Sequence, residues 1–127
     1  VALYADIVEI VAPAQALPGN RVDVTVRIKN TYSSPIGVMV AGVIEINATP
    51  QSAIDFPEPS ANVDAGVTYS FAGSFTMPGS KVTVHAYSYW YGGDGYWHQD
   101  DEMTKVIDLL TLSPQVSEFK IADFSRV

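Results

Sequence analysis

The chain contains no cysteine, and that absence removes disulfides, thiolate metal sites and cysteine nucleophiles together. It leaves the redox compartment open, because a domain of this size does not need covalent staples. Basic residues are scarce: seven Lys and Arg against fourteen Asp and Glu give a formal net charge of −7 at pH 7. Nucleic acid is therefore not expected as a partner, since phosphate binding needs a clustered basic surface. An anionic membrane surface is disfavoured on the same ground. No run approaches the roughly 20 apolar residues of a membrane-spanning helix, so no membrane insertion of this segment is expected. The sequence opens at Val1 without a basic n-region or an apolar signal core, and it reads as a piece of something longer.

Motifs of catalysis are missing too. There is no Gly-x-Ser-x-Gly, no Walker loop, no dinucleotide fingerprint and no His-Glu-x-x-His. Asp55 and Glu58 lie in a Pro-rich connection with no sign of a cleft, which leaves a glycosidase pair without support. The expectation is a non-enzyme with no catalytic residue and no cofactor.

What is present is β-pattern. Hydrophobic residues make up 47% of the chain and charged ones 17%, enough for one core that removes about 65–70% of the unfolded chain's surface from water. Arg21–Asn30 alternates most cleanly, with Val22, Val24, Val26 and Ile28 on one face and Asp23, Thr25, Arg27 and Lys29 on the other. Val1–Ile10 alternates more loosely, with Leu3, Ala5 and Ile7 together, before Pro13 and the Leu17–Asn20 turn. Thr31–Pro35 is a turn, and Ile36–Asn47 follows as a long apolar strand in which Gly42 suggests a bulge. Ala48–Ala65 is rich in proline, with Ile54 and Phe56 as its anchors, and reads as a connection between sheets with one short edge strand at most. Alternation returns in Gly66–Met77 through Tyr69, Phe71 and Phe75, and continues through Val82, Val84, Ile107 and Leu109. The same register turns Lys105 inward, which requires a bulge or a snorkelling stem. No segment longer than six residues is helical in period. The fold class is all-β: a two-sheet antiparallel sandwich of about seven strands.

The densest signal is Lys81–Leu110, where Tyr87, Tyr89, Trp90, Tyr91, Tyr96 and Trp97 flank Gly92-Gly-Asp-Gly95. Such a pattern is a β-hairpin, and a four-residue turn sets Tyr91 opposite Tyr96, Trp90 opposite Trp97, His98 opposite Tyr89 and His85 opposite Glu102. The rings have three readings: cross-strand packing, an interface patch, or a platform on which the apolar face of a sugar ring stacks. Alternation lets only about half of them share one face. Tyr89, Trp90, Tyr91, Tyr96 and Trp97 are the candidate ligand or interface residues. Asp94, Asp100, Asp101 and Glu102 are oxygen donors of the type calcium takes, but their spacing fits no calcium loop; acids that keep a sheet edge solvated are the simpler account. His85 and His98 do not converge on a metal in that pairing, and no metal site is assigned. Asn47-Ala-Thr49 is a glycosylation sequon, of consequence only in a eukaryotic secretory protein.

Ser113-Pro114 breaks the last strand, and Ile121-Ala-Asp-Phe-Ser-Arg-Val127 then repeats the pattern of Tyr4-Ala-Asp-Ile-Val-Glu-Ile10. Residues 1–112 are accordingly expected to form one domain. Residues 113–127 are expected to be a linker and the first strand of a following domain, or an exchanged strand through Phe119, Ile121 and Phe124.

Ala5-Asp-Ile-Val-Glu-Ile10, Pro18-Gly19 and Val22-x-Val-x-Val-x-Ile-x-Asn30 with Tyr32-Ser33 resemble the opening of CARDB-type and related Ig-like or fibronectin-III-like sandwich domains. Ala65-Gly66, Met77-Pro78 and Val82–Tyr89 extend the resemblance over most of residues 3–110. It implies a non-catalytic spacer or adhesion module, commonly in tandem, on an extracellular, cell-surface or virion-surface protein. Its partners would be neighbouring copies or domains of the same assembly. The alternative is a carbohydrate-binding module that uses the aromatic hairpin Tyr87–Trp97.

Overall fold

The computed structural model describes residues 2–111 of the protein. The Ser113-Pro114 break and the strand-exchange candidates Phe119, Ile121 and Phe124 lie outside the described residues, so the division at residue 112 is not addressed by it. Among the described residues there is no helix.

Two sheets face each other. The smaller is β1 (Ala5–Val11), β3 (Arg21–Asn30) and β7 (Thr68–Thr76), in the order β1-β3-β7. The larger has the order β2-β9-β8-β4-β5, from β2 (Gln15–Ala16), β9 (Trp97–Leu109), β8 (Val82–Tyr91), β4 (Ile36–Ile46) and β5 (Thr49–Ala53). β6 (Ser60–Val63) takes the other half of the β4 edge. Every pairing is antiparallel except the short one between β2 and β9.

The core forms where alternation points both sheets inward. Val22, Val24, Val26 and Ile28 of β3 are buried, and so are Phe71 and Phe75 of β7. They meet Val38, Val40 and Ile44 of β4, Val82, Val84 and Ala86 of β8, and Ile107 of β9. Each such Val, Ile or Phe side chain stabilises the fold by roughly 1.5–3 kcal/mol. In β1 the buried residues are Ala5, Ile7 and Ile10, a two-then-three spacing, because a bulge between Ile7 and Glu9 turns Val8 outward. Leu3, which alternation sets on one face with Ala5 and Ile7, precedes the strand and is exposed.

Among the described residues, nine strands rather than about seven arise because the Ala48–Ala65 connection forms β5 and β6, both on β4, and because β2 is a separate short strand. Ile54 and Phe56 anchor that connection in the core as expected. Phe56 can lie there because position 73 is glycine: a Cβ on Gly73 would stand 2.7 Å from the Phe56 ring. Gly42 has a similar role and marks no bulge. It pairs regularly with Ala86, and a Cβ on it would meet Ile54 Cδ1 at 3.0 Å. Two expected core residues sit further out. Tyr69, 37% exposed, lies near the start of β7 where the sandwich opens, with its ring against Phe71, and Leu109 is half-buried at the rim. Lys105 stands opposite Val84 and is half-buried, as a snorkelling side chain should be.

Asn30 closes β3 and is fully buried. Its Nδ2 donates to the carbonyls of Ser34 and Val63, each at 2.9 Å, and its Oδ1 accepts from the Tyr32 amide at 2.8 Å. One side chain thereby shapes the turn into β4 and ties it to the end of β6.

Candidate functional site

The hairpin is present, one register away from the expected one. Gly92 N–H donates to the Tyr96 carbonyl and Gly95 N–H to the Gly92 carbonyl, so the loop is Gly92–Tyr96, five residues long. Asp94 accepts from the Tyr96 amide, and Gly95 takes the positive φ of 85° that a side chain would resist. The added residue sets Tyr91 opposite Trp97, Trp90 opposite His98 and Tyr89 opposite Gln99. A bulge follows, in which Asp100 and Asp101 both oppose Ser88. Beyond it Tyr87 faces Glu102 and His85 faces Thr104, not Glu102.

Alternation divides the aromatic residues. Trp90 points between the sheets at their open end, edge-on to Tyr4 (4.9 Å, 88°) and stacked on His98 (4.5 Å, 25°), while Tyr32 packs edge-on to Tyr4. Tyr87, Tyr89, Tyr91 and Trp97 lie on the outward face of the larger sheet, where Tyr91 and Trp97 meet edge-to-face at 5.2 Å. Tyr96 belongs to the loop and is 71% exposed. Of the five candidate ligand residues, Tyr89, Tyr91 and Trp97 are thus brought together, Trp90 is separated from them by the sheet, and Tyr96 is at the tip.

The outward face continues across β4 through Met39, Ala41 and Val43, all half-buried by their neighbours. His85 stacks on Tyr87 at 4.5 Å, with Nδ1 3.4 Å from Glu45 and Nε2 3.6 Å from Glu102. Burial, with Glu102, Glu45 and Tyr89 nearby, pushes the Tyr87 phenol above its ordinary range. The outward side of the smaller sheet is different in kind, carrying Asp23, Thr25, Arg27 and Lys29 from β3 and Ser70, Ala72 and Ser74 from β7.

The four acids offered as calcium donors have separate tasks, and Asp100 and Asp101 are not solvated edge charges. Asp100 accepts the backbone N–H groups of Leu3, Tyr4 and Ala5 at 2.6, 2.8 and 2.6 Å. Asp101 accepts those of Ile7 and Glu102, both at 2.9 Å. Ser88, fully buried, donates its hydroxyl to the Ala5 carbonyl at 2.6 Å and accepts from the Asp101 amide at 3.0 Å. The bulge in β9 therefore latches the free edge of β1 to the larger sheet and satisfies backbone donors that β3 does not reach. Asp94 is bound by His98 Nε2 at 2.9 Å, and that bond, then the Tyr96 amide, holds its carboxyl below the usual range. Glu102 faces His85. Among the described residues no group of three or more His, Asp or Glu side chains is placed to hold a metal ion. Sequence reasoning noticed the acids but not the latch; the available signal was that two adjacent acids interrupt a period-2 strand.

Asp6 adjoins the latch. Burial first, then a hydrogen bond shared with the Asp101 carboxyl and the charges of Asp101 and Asp100, raise its carboxyl above the ordinary aspartate value against the opposing pull of Lys29. A raised acid binds its proton more tightly in the folded state. Stability on its account is therefore greatest below the unfolded value near 3.8 and falls as pH rises through the folded one. Asp6→Asn should raise the melting temperature at neutral pH and flatten its decline between weakly acidic and neutral conditions. Thermal melts across that range check this; an unchanged slope would show that Asp6 is already relaxed by solvent.

Comparison with known proteins comes from structure alone. No protein-family model and no curated protein matches the sequence. Among solved structures, the CARDB domain of a Pyrococcus furiosus protein, solved in complex with di-metal ions, superposes with a TM-score of 0.62 at 12% identity, covering 86% of this chain and 96% of that one. A Bordetella pertussis protein described as ApaA superposes with a TM-score of 0.58 at 15% identity, covering 88% of this chain and 100% of that one. Three-stranded and six-stranded sheets, packed as described, make this chain an open sandwich of the CARDB-like, immunoglobulin-type fold.

Proposed function

We propose that this Ig-like module is non-catalytic, one of a tandem series in an extracellular, cell-surface or virion-surface protein, and that it adheres to neighbouring copies or domains through the outward face of its larger sheet. The observation that carries this reading is the contrast between the two outer faces. One is polar and charged, and the other, flanked by Glu45, His85 and Glu102 on one side, presents Met39, Ala41, Val43, Tyr87, Tyr89, Tyr91 and Trp97 in adjoining rows. Contiguous apolar and aromatic surface of this kind is characteristic of contact sites, where Tyr and Trp supply much of the binding energy.

The sequence beyond Leu112 supports the tandem part. Ile121–Val127 aligned on β1 sets Ala122, Phe124 and Val127 at the places of Ala5, Ile7 and Ile10, the three residues that β1 buries. The three-residue step from Ile7 to Ile10 comes from a bulge, so its recurrence is more specific than simple alternation.

Sedimentation velocity over a wide concentration range tests the face. Concentration-dependent association is expected for the chain, lost in Tyr89→Glu and kept in Thr25→Glu on the opposite sheet. A chain that stays monomeric throughout, or loses association equally in both variants, would remove the reading.

A further inference from the structure

We infer that one end of this outward face is a binding cleft for a neutral pyranose sugar, stacked on Trp97 and hydrogen-bonded by Asn62. The inference rests on reading the face as the module's contact surface, and it names a ligand class for one part of it.

The cleft is built by a row of residues across four strands. Asn62 of β6 pairs with Gly37 of β4, and Tyr91 of β8 pairs with Trp97 of β9. Gly37 and Tyr91 are neighbours between them, since a Cβ on Gly37 would lie 3.1 Å from Tyr91 Cβ. The row therefore reads amide, gap, ring, ring. With strands about 4.8 Å apart, the amide and the first ring stand roughly 10 Å from each other, and the strand position between them contributes no side chain of its own. The indole of Trp97 leans into this gap, coming within 3.4 Å of the point a Gly37 Cβ would occupy, and so forms one wall and part of the floor. Ser60 and Ala61 complete a hollow of about 360 Å³, at the small end of the range for small-molecule sites.

Its chemistry is selective. Tyr91 is 48% and Trp97 38% exposed, so beyond their mutual edge-to-face contact a substantial part of each residue stays open to a ligand. In a chain of net charge −7 none of the six lining residues is charged, which disfavours both a cationic and an anionic ligand. An aromatic face beside a side-chain amide that offers donor and acceptor together matches a pyranose, which has one apolar C–H face and hydroxyls around its rim. An apolar protein segment would use the rings but have no need of Asn62. Trp90 does not line the cleft: with Tyr4 and Tyr32 it lines another hollow of about 210 Å³ at the hairpin end of the sandwich, which Tyr91 borders from the other side.

The test is an array of neutral and acidic glycans probed with the full chain, followed by titration of the best neutral binder. Saturable binding that is insensitive to salt is expected. Trp97→Ala should weaken it at least about 30-fold, and Asn62→Ala about 5- to 10-fold for one lost hydrogen-bonding group. Asn62 is exposed on a short edge strand, so that variant tests the site even where Trp97→Ala disturbs the hairpin. An array blank for neutral glycans, binding confined to acidic ones, or binding indifferent to both substitutions would overturn the inference. A blank array together with association that Tyr89→Glu abolishes would overturn the sugar site alone. Sugar binding by a chain that is monomeric at every concentration would instead overturn self-adhesion and leave the cleft standing.

Discussion

Asn30→Asp is expected to destabilise the domain by about 3–5 kcal/mol at neutral pH, the larger of two effects that depend on single polar side chains. The substitution is nearly isosteric, so packing is kept and the hydrogen-bond chemistry changes. Asn30 is fully buried and its NH₂ group is directed at two carbonyl oxygens, those of Ser34 and Val63. A carboxylate there has no donor for either and places a negative charge against both. Protonation would restore one donor. The introduced acid therefore titrates above the ordinary aspartate value in the folded state, and the destabilisation should grow as pH rises through that range and shrink on acidification. Asn30→Ala removes the same bonds without adding charge, and should cost about 2–3 kcal/mol with little dependence on pH. Denaturant unfolding at several pH values separates the two. Equal losses for both variants at every pH would mean that water reaches position 30 and that the turn, not the amide, holds this corner.

Much of this frame can be read from the chain because its alternation coincides with burial. In β3 every second residue from Val22 to Ile28 is apolar, and every one of them is inside; nothing non-local has to be known to place them. The hairpin was equally visible, but its register depended on one residue. Asp94 bonding to the Tyr96 amide and Gly95 accepting a left-handed backbone make the loop five residues long, and composition does not distinguish that from four. Tyr69 has the correct face and the wrong depth, since periodicity gives the side of a sheet and not the distance from its open end. The stretch that forms β5 and β6 reads as a connection with one short edge strand at most because it is rich in proline and polar residues; the partner that makes both of them strands is the edge of β4. The proposed cleft could not be seen at all from a linear reading. Asn62, Gly37, Tyr91 and Trp97 are neighbours only after four strands have been placed in order, and its central element is a missing side chain.

The latch between the sheets is where charge matters most for stability. Asp100→Ala is expected to lower the unfolding free energy by about 3 kcal/mol and the melting temperature by more than about 10 °C. The carboxylate accepts three consecutive backbone N–H groups, from Leu3, Tyr4 and Ala5, at the end of a strand whose opposite edge alone is paired with β3. Charge-assisted bonds contribute more than neutral ones, and the part-buried amides of Tyr4 and Ala5 would lose their acceptor without full access to water. Asp101→Ala should cost less, because Asp101 accepts two amides and the Glu102 one is exposed. The pair should not be additive. Ser88 binds both the Ala5 carbonyl and the Asp101 amide, so releasing β1 from either acid loosens the geometry the other requires. Hydrogen exchange gives the local readout: in Asp100→Ala the Ala5 and Ile7 amides should lose protection well before those in the middle of β3. If Asp100→Ala melts within about 2 °C of the parent chain and Ala5 keeps its protection, β1 is held by the burial of its own Ile7 and Ile10 in the core, and the acids of the bulge only accompany it.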